Sequence, residues 1–195
     1  MKHKKAPLGF TLIELLIVVA IIGILAAIAV PNFLNARTRS NIARVRADQK
    51  SICTALDMYH MDNNCYIETM GGASEFFRLT SPVAYLASVP VDIFLPYTGS
   101  KGGIFSRNPD DKFPTFDYTS NDWFTASVRT YPHAFVMESV GPDRIHLPEV
   151  HTDWAVYRAN PPAVFNKYIY NPTNGIKSYG SILRGGGQGR TFAED

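Results

Sequence analysis

From Phe10 to Val30 the chain carries 21 residues in which Glu14 is the sole charge. As a helix this stretch would span ~31 Å at about 1.5 Å per residue. That matches a hydrocarbon core roughly 30 Å thick. Lys2, Lys4 and Lys5 precede it, which favours an N-terminus on the cytoplasmic side. Arg37, Arg39, Arg44 and Arg46 follow it, so charge counting alone does not fix the orientation. A charge at the centre of a membrane helix costs about 2.5–3.5 kcal/mol on the mildest scale. Glu14 lies only four residues from Phe10, near an interface, where the cost is smaller. An acid retained inside such a segment nevertheless marks a functional position.

The residues Gly9-Phe10-Thr11-Leu12-Ile13-Glu14-Leu15 closely resemble the prepilin signature of type IV pilins and type II secretion pseudopilins. The resemblance covers about Lys5 to Tyr66, and Pro31 matches a helix-kinking proline of that family. It implies that a leader, residues 1–9, is cut after Gly9. It also implies that the new N-terminal residue, Phe10, is N-methylated, and that Glu14 pairs with a neighbouring subunit's N-terminal amine during filament assembly. The chemistry is reasonable. A buried ammonium and a buried carboxylate are each costly alone, and pairing removes much of the penalty. An ordinary secretory signal offers a competing explanation, because Ala27-Ile28-Ala29 has the small-x-small form of a signal peptidase site. Against it, the apolar region exceeds the usual ~7–15 residues, and the helical pattern runs on past that point.

Beyond the span lie 165 of the 195 residues, ample for one soluble domain and short for two. Apolar residues make up 46% of the chain and charged residues 18%, which predicts an ordered domain. The net charge of +2 is too small to argue for nucleic acid. The four arginines after the span are read as a solvated helix face.

Ile42, Val45, Ile52, Leu56 and Tyr59, with Gln49 in the gap, form one helical stripe. Asp62-Asn63-Asn64 supplies a stop signal. The spacing predicts one helix from Phe10 to about Met61, ~78 Å if straight. Pro31 must kink or locally open it, because proline lacks a donor and clashes with the preceding turn. Residues 10–30 form the transmembrane and assembly half, and residues 31–64 the amphipathic half. Cys53 and Cys65 would stand ~18 Å apart along a continuous helix, beyond the ~7 Å reach of a disulfide. Cys53 reads as a small core residue.

After Tyr66 the chain breaks into short pieces. A short helix is expected within Glu75–Ala87, broken at Pro82, and a long loop over Leu95–Pro114. Strands are expected at Phe116–Thr119, Trp123–Thr130, Ala134–Glu138, Trp154–Arg158, Tyr168–Tyr170 and Ile176–Leu183. Asn171 to Gly175 reads as a hairpin loop between the last two. The globular domain covers residues 65–184, and the glycine-rich residues 185–195 read as a flexible tail. The fold class is α+β, pilin-like: a long kinked N-terminal helix packed on a small antiparallel sheet.

This half also resembles the family. Leu79-Thr80-Ser81-Pro82, Val89-Pro90-Val91-Asp92 and Ser139-Val140-Gly141-Pro142-Asp143 are similar to parts of the major, G-type pseudopilin. Tyr170 to Gly175 with Ser178 to Ile182 look like a C-terminal stretch of similar proteins, with Asn171 and Ser181 standing where aspartates are expected. The resemblance implies a calcium site to which Asp143 is the candidate ligand. Calcium asks for six to eight oxygens, and Asp110, Asp111, Glu149 and Asp153 lack ligand-loop spacing. The competing reading is that Asp143 caps a turn after Pro142.

No catalytic constellation is legible. His146 to His151 fails both zinc-helix spacings and contains Pro148, and no Gly-x-Ser-x-Gly elbow occurs. Trp123, Trp154 and the ten tyrosines read as core and cross-strand residues. The family implies a non-enzymatic filament subunit, working in type II secretion from the inner membrane outward into a periplasmic or surface filament. Its expected partners are further copies of itself, minor pilins or pseudopilins, a prepilin peptidase, membrane lipid before assembly, and an assembly platform with its ATPase. A type IV surface pilin for adhesion, motility or DNA uptake is the nearest alternative. A membrane-anchored or secreted ligand-binding domain is the alternative of another class.

Overall fold

The structure, a computed structural model, describes residues 9–67, 73–95, 115–120, 134–144, 169–171, 178 and 180–187. Helix α1 spans Leu12–Asn63 and stays helical through Pro31. The proline therefore withholds one N–H from the ladder without ending the helix. The start lies two residues later than the stripe predicts, because Thr11 caps the helix rather than entering it. The stop lies at the predicted Asp62-Asn63-Asn64. Asn64 adopts φ 54°, and its N–H reaches the His60 carbonyl at 2.8 Å. Asparagine tolerates this left-handed position better than most residues, so it closes the helix.

By internal contacts the chain falls into two compact units, residues 1–39 and 40–195. In the first, residues 9–37 are exposed throughout. The second takes in α1 from Ser40 onward, because the buried stripe begins at Ile42 and continues through Val45, Gln49, Ile52, Ala55 and Leu56. The break therefore falls inside the segment 31–64 that the sequence treats as one piece. Tyr59, the last residue of the stripe, is half-buried and meets Tyr85 edge-on at 5.8 Å.

A 3-10 helix spans Ala73–Leu79, shorter and earlier than expected, and places Phe76 and Leu79 in the core. The Ser81–Pro82 peptide is cis. Among the described residues three strands form an antiparallel sheet in the order β1-β2-β3: β1 Asp117–Ser120, β2 Ala134–Ser139 and β3 Ile182–Gly187. β1 and β2 lie where the sequence places them. In register, Tyr118 faces Met137 and Phe135 faces Gly186.

β3 corrects two expectations. It begins at Ile182 rather than Ile176, and it takes in Gly185, Gly186 and Gly187, assigned from sequence to a flexible tail. The reason is long-range. The Phe135 ring lies over Gly186, where a Cβ would come within 2.6 Å of a ring carbon. An aromatic side chain on the neighbouring strand thus covers a residue with no side chain of its own. The expected hairpin between Tyr170 and β3 is also replaced. Ile169 and Ser181 bridge in parallel, which a tight antiparallel turn cannot produce. The strands expected at Trp123–Thr130 and Trp154–Arg158 lie outside the described residues, as does most of the loop Leu95–Pro114.

The core between α1 and the sheet is aromatic. Phe76 and Tyr118 approach at 5.2 Å, Tyr118 and Phe135 at 6.0 Å, Phe135 and Tyr66 at 4.8 Å, and Tyr66 stacks on His60 at 4.5 Å. Gln49, fully buried, donates from Nε2 to the Ile182 carbonyl at 2.8 Å, pinning α1 to the start of β3.

Candidate functional site

The start of α1 builds a capping box from Thr11 and Glu14. The backbone N–H and the hydroxyl of Thr11 both donate to Glu14 Oε2, at 2.8 and 2.6 Å. Glu14 returns its backbone N–H to Thr11 Oγ1 at 3.3 Å. Free N–H groups at a helix start need acceptors, and a Thr-x-x-Glu spacing supplies them reciprocally. Among the described residues Glu14 Oε1 takes no hydrogen bond. One carboxylate oxygen is thus committed to the chain's own helix, and the other is open. Thr11 is the residue that sequence reasoning missed, although its spacing to Glu14 was the available signal.

Gly9 and Phe10 precede this cap in the exposed stretch. Nothing lies within 4 Å of where a Gly9 Cβ would stand, and Phe10 is 73% exposed. The Gly9–Phe10 pair is therefore uncovered by the described residues. From Leu12 the helix presents apolar side chains to Leu34, and it is long and apolar enough to cross a membrane. A run of exposed leucine, isoleucine and valine this long marks a surface that another apolar phase covers.

Asp143 sits elsewhere, in the turn Gly141–Arg144 that follows β2. Its Oδ2 accepts the Gly180 N–H at 3.0 Å. Gly141, at φ 77°, lies so close that a Cβ would come within 2.6 Å of the Gly180 carbonyl oxygen. The turn is thus fastened to the segment entering β3. Beside it, Ser181 donates its hydroxyl to the buried Glu138 Oε1 at 2.5 Å. Among the described residues no three His, Cys, Asp or Glu side chains gather as a metal-binding group. Asp110, Asp111, Glu149, Asp153 and the pair His146 and His151 lie outside the described residues.

The prokaryotic N-terminal methylation motif matches residues 4–30, which contain the exposed Gly9 and Phe10, the capping box and most of the apolar helix face. A type II secretion system core protein G of Pseudomonas aeruginosa is 35% identical over 126 residues, covering 56% of this chain and 89% of that protein. The counterpart from Vibrio cholerae is 40% identical, over 57% of this chain and 68% of its own length. The chain belongs to the family of type IV pilins and type II secretion pseudopilins. A type IV wide pilus major component of Thermus thermophilus, 37% identical over 52% of this chain and 82% of its own length, shows the pilin side of that family. No solved structure matches. In this pilin-like chain no disulfide joins Cys53 and Cys65. Cys65 lies just past the helix end, and burial pushes the Cys53 thiol up to about 12, against the pull of the nearby Arg184 charge.

Proposed function

We propose that this chain is a structural filament subunit of a type II secretion system. In this reading the leader is removed after Gly9, Phe10 is methylated, and the exposed apolar half of α1 anchors the subunit in the inner membrane until it joins the filament. The observation that carries the reading is the open oxygen of Glu14 at the head of an exposed apolar helix. A carboxylate with Oε2 fixed by Thr11 and Oε1 free can accept an ammonium group without losing its cap. Pairing with the amine of a neighbouring Phe10 would relieve both buried charges and set the register of the incoming copy. The partners are further copies, minor subunits, the leader peptidase, and a membrane platform with its motor. The relatives in secretion systems support this choice, and the relative in a wide pilus supports a surface-pilus reading as the second one.

The test is Glu14→Ala in the native host. The expected outcome is normal membrane insertion with loss of filament incorporation and of secretion. Full incorporation of the variant would overturn the reading and favour an anchored binding domain. Loss of surface fibres with secretion intact would favour the pilus.

A further inference from the structure

The second unit of the chain holds a cleft of about 530 Å³ with no part in the assembly reading. One wall is a single face of α1, where Lys50, Cys53, Thr54, Asp57 and His60 fall at helical spacing. The other wall is β3 from Arg184 to Gly187, where three successive glycines leave bare backbone. The volume lies within the ~300–1,000 Å³ of small-ligand sites.

The walls are organised. Tyr66 donates its hydroxyl to Asp57 Oδ1 at 3.0 Å, while its ring is held between His60 and Phe135. Arg184 alternates with Ile182 and Gly186 along β3 and so shares their face. That is the face over which the Phe135 ring lies at Gly186. Its side chain is half-buried, yet no ion pair or side-chain hydrogen bond among the described residues engages the guanidinium. Lys50, at the exposed rim, is likewise without an ion-pair partner there. A guanidinium fork presents five donors suited to a planar oxyanion. Leaving it half-buried and unmatched is costly.

The geometry points to a carboxylate-binding site, in which Arg184 grips the carboxylate and Lys50 supplies the second cation at the rim. Charge selects the ligand. Lys50 and Arg184 against Asp57 leave one unbalanced positive charge, which a single carboxylate neutralises. A dianionic phosphate would overshoot that charge and meet repulsion from Asp57. The carboxylate comes either from a glutamate or aspartate side chain of another polypeptide or from a free monocarboxylic acid.

The test uses the full chain in detergent micelles, below assembly, so its outcome does not depend on filament formation. Arginine Nε–H and backbone amide resonances are followed during titration with N-acetylglutamate N-methylamide. The neutral glutamine analogue, acetate, inorganic phosphate and a short peptide with one central glutamate are titrated in parallel. The expected result is a saturable shift at Arg184 and Thr54 with the glutamate analogue and none with the glutamine one. Arg184→Gln should weaken binding at least tenfold, read at Thr54. Arg184→Lys keeps the charge, serves as the folding control, and should lose several-fold affinity with the fork. A peptide binding at least tenfold tighter than acetate assigns a polypeptide source, and equal or weaker binding assigns a free acid. No saturable shift in the unmodified chain, tighter binding of phosphate, or unchanged affinity in a folded Arg184→Gln variant would overturn the proposal.

Discussion

Three side chains, two buried and one half-buried, show how single residues set the behaviour of the globular unit. Gln49 is fully buried and tethers α1 to the Ile182 carbonyl. Replacing it by alanine removes that bond, strands a buried carbonyl and opens a cavity. A loss of about 2–4 kcal/mol is expected in thermal unfolding. Asp92 accepts the Phe94 N–H at 3.0 Å but is almost wholly buried. Burial raises its carboxyl above the ordinary range, opposed by the Phe94 N–H and the Ser139 hydroxyl. The folded state therefore holds this proton more tightly than the unfolded chain does. The resulting stability is present below the ordinary carboxylate pKa and is lost as pH rises through the raised folded value. Asp92→Asn, which can still accept from Phe94, should melt higher than the parent near pH 8, with the gap closing toward pH 3. A gap independent of pH would contradict this origin. Cys53, with its thiol pushed up to about 12, should resist alkylation at pH 8, where the thiolate that reacts is scarce. Mass spectrometry of the tryptic peptide reads this directly.

At the scale of elements, legibility followed the range of the forces. The stripe of α1 and its Asn64 stop are local patterns of spacing and backbone preference, and both appear where the sequence puts them. β3 was misplaced because Gly185-Gly186-Gly187 carries no strand propensity. What makes it a strand is Phe135, about fifty positions away, whose ring fills the space over Gly186. Gly186→Ala should force that ring aside and cost about 1–3 kcal/mol. A melting temperature lower by several degrees is the corresponding reading, and an unchanged one would show that the ring has room to move. The Thr11–Glu14 cap was legible in principle from its spacing. Its meaning needed the geometry, which shows one oxygen committed and one open.

For the whole molecule, the two halves differ in how their roles can be read. The first unit announces itself locally: Gly9, Phe10 and Glu14 lie within six residues at the head of an apolar run. The carboxylate cleft was invisible in the sequence, because Lys50 and Arg184 meet only once α1 and β3 pack. The central claim is that the first unit is processed and assembled, and the covalent state of its N-terminus bears on that most directly. Mass spectrometry of the N-terminal peptide, from protein made in its native host, should find a chain that starts at N-methylated Phe10. A chain starting at Val30, or one retaining the intact leader in assembled filaments, would contradict the account.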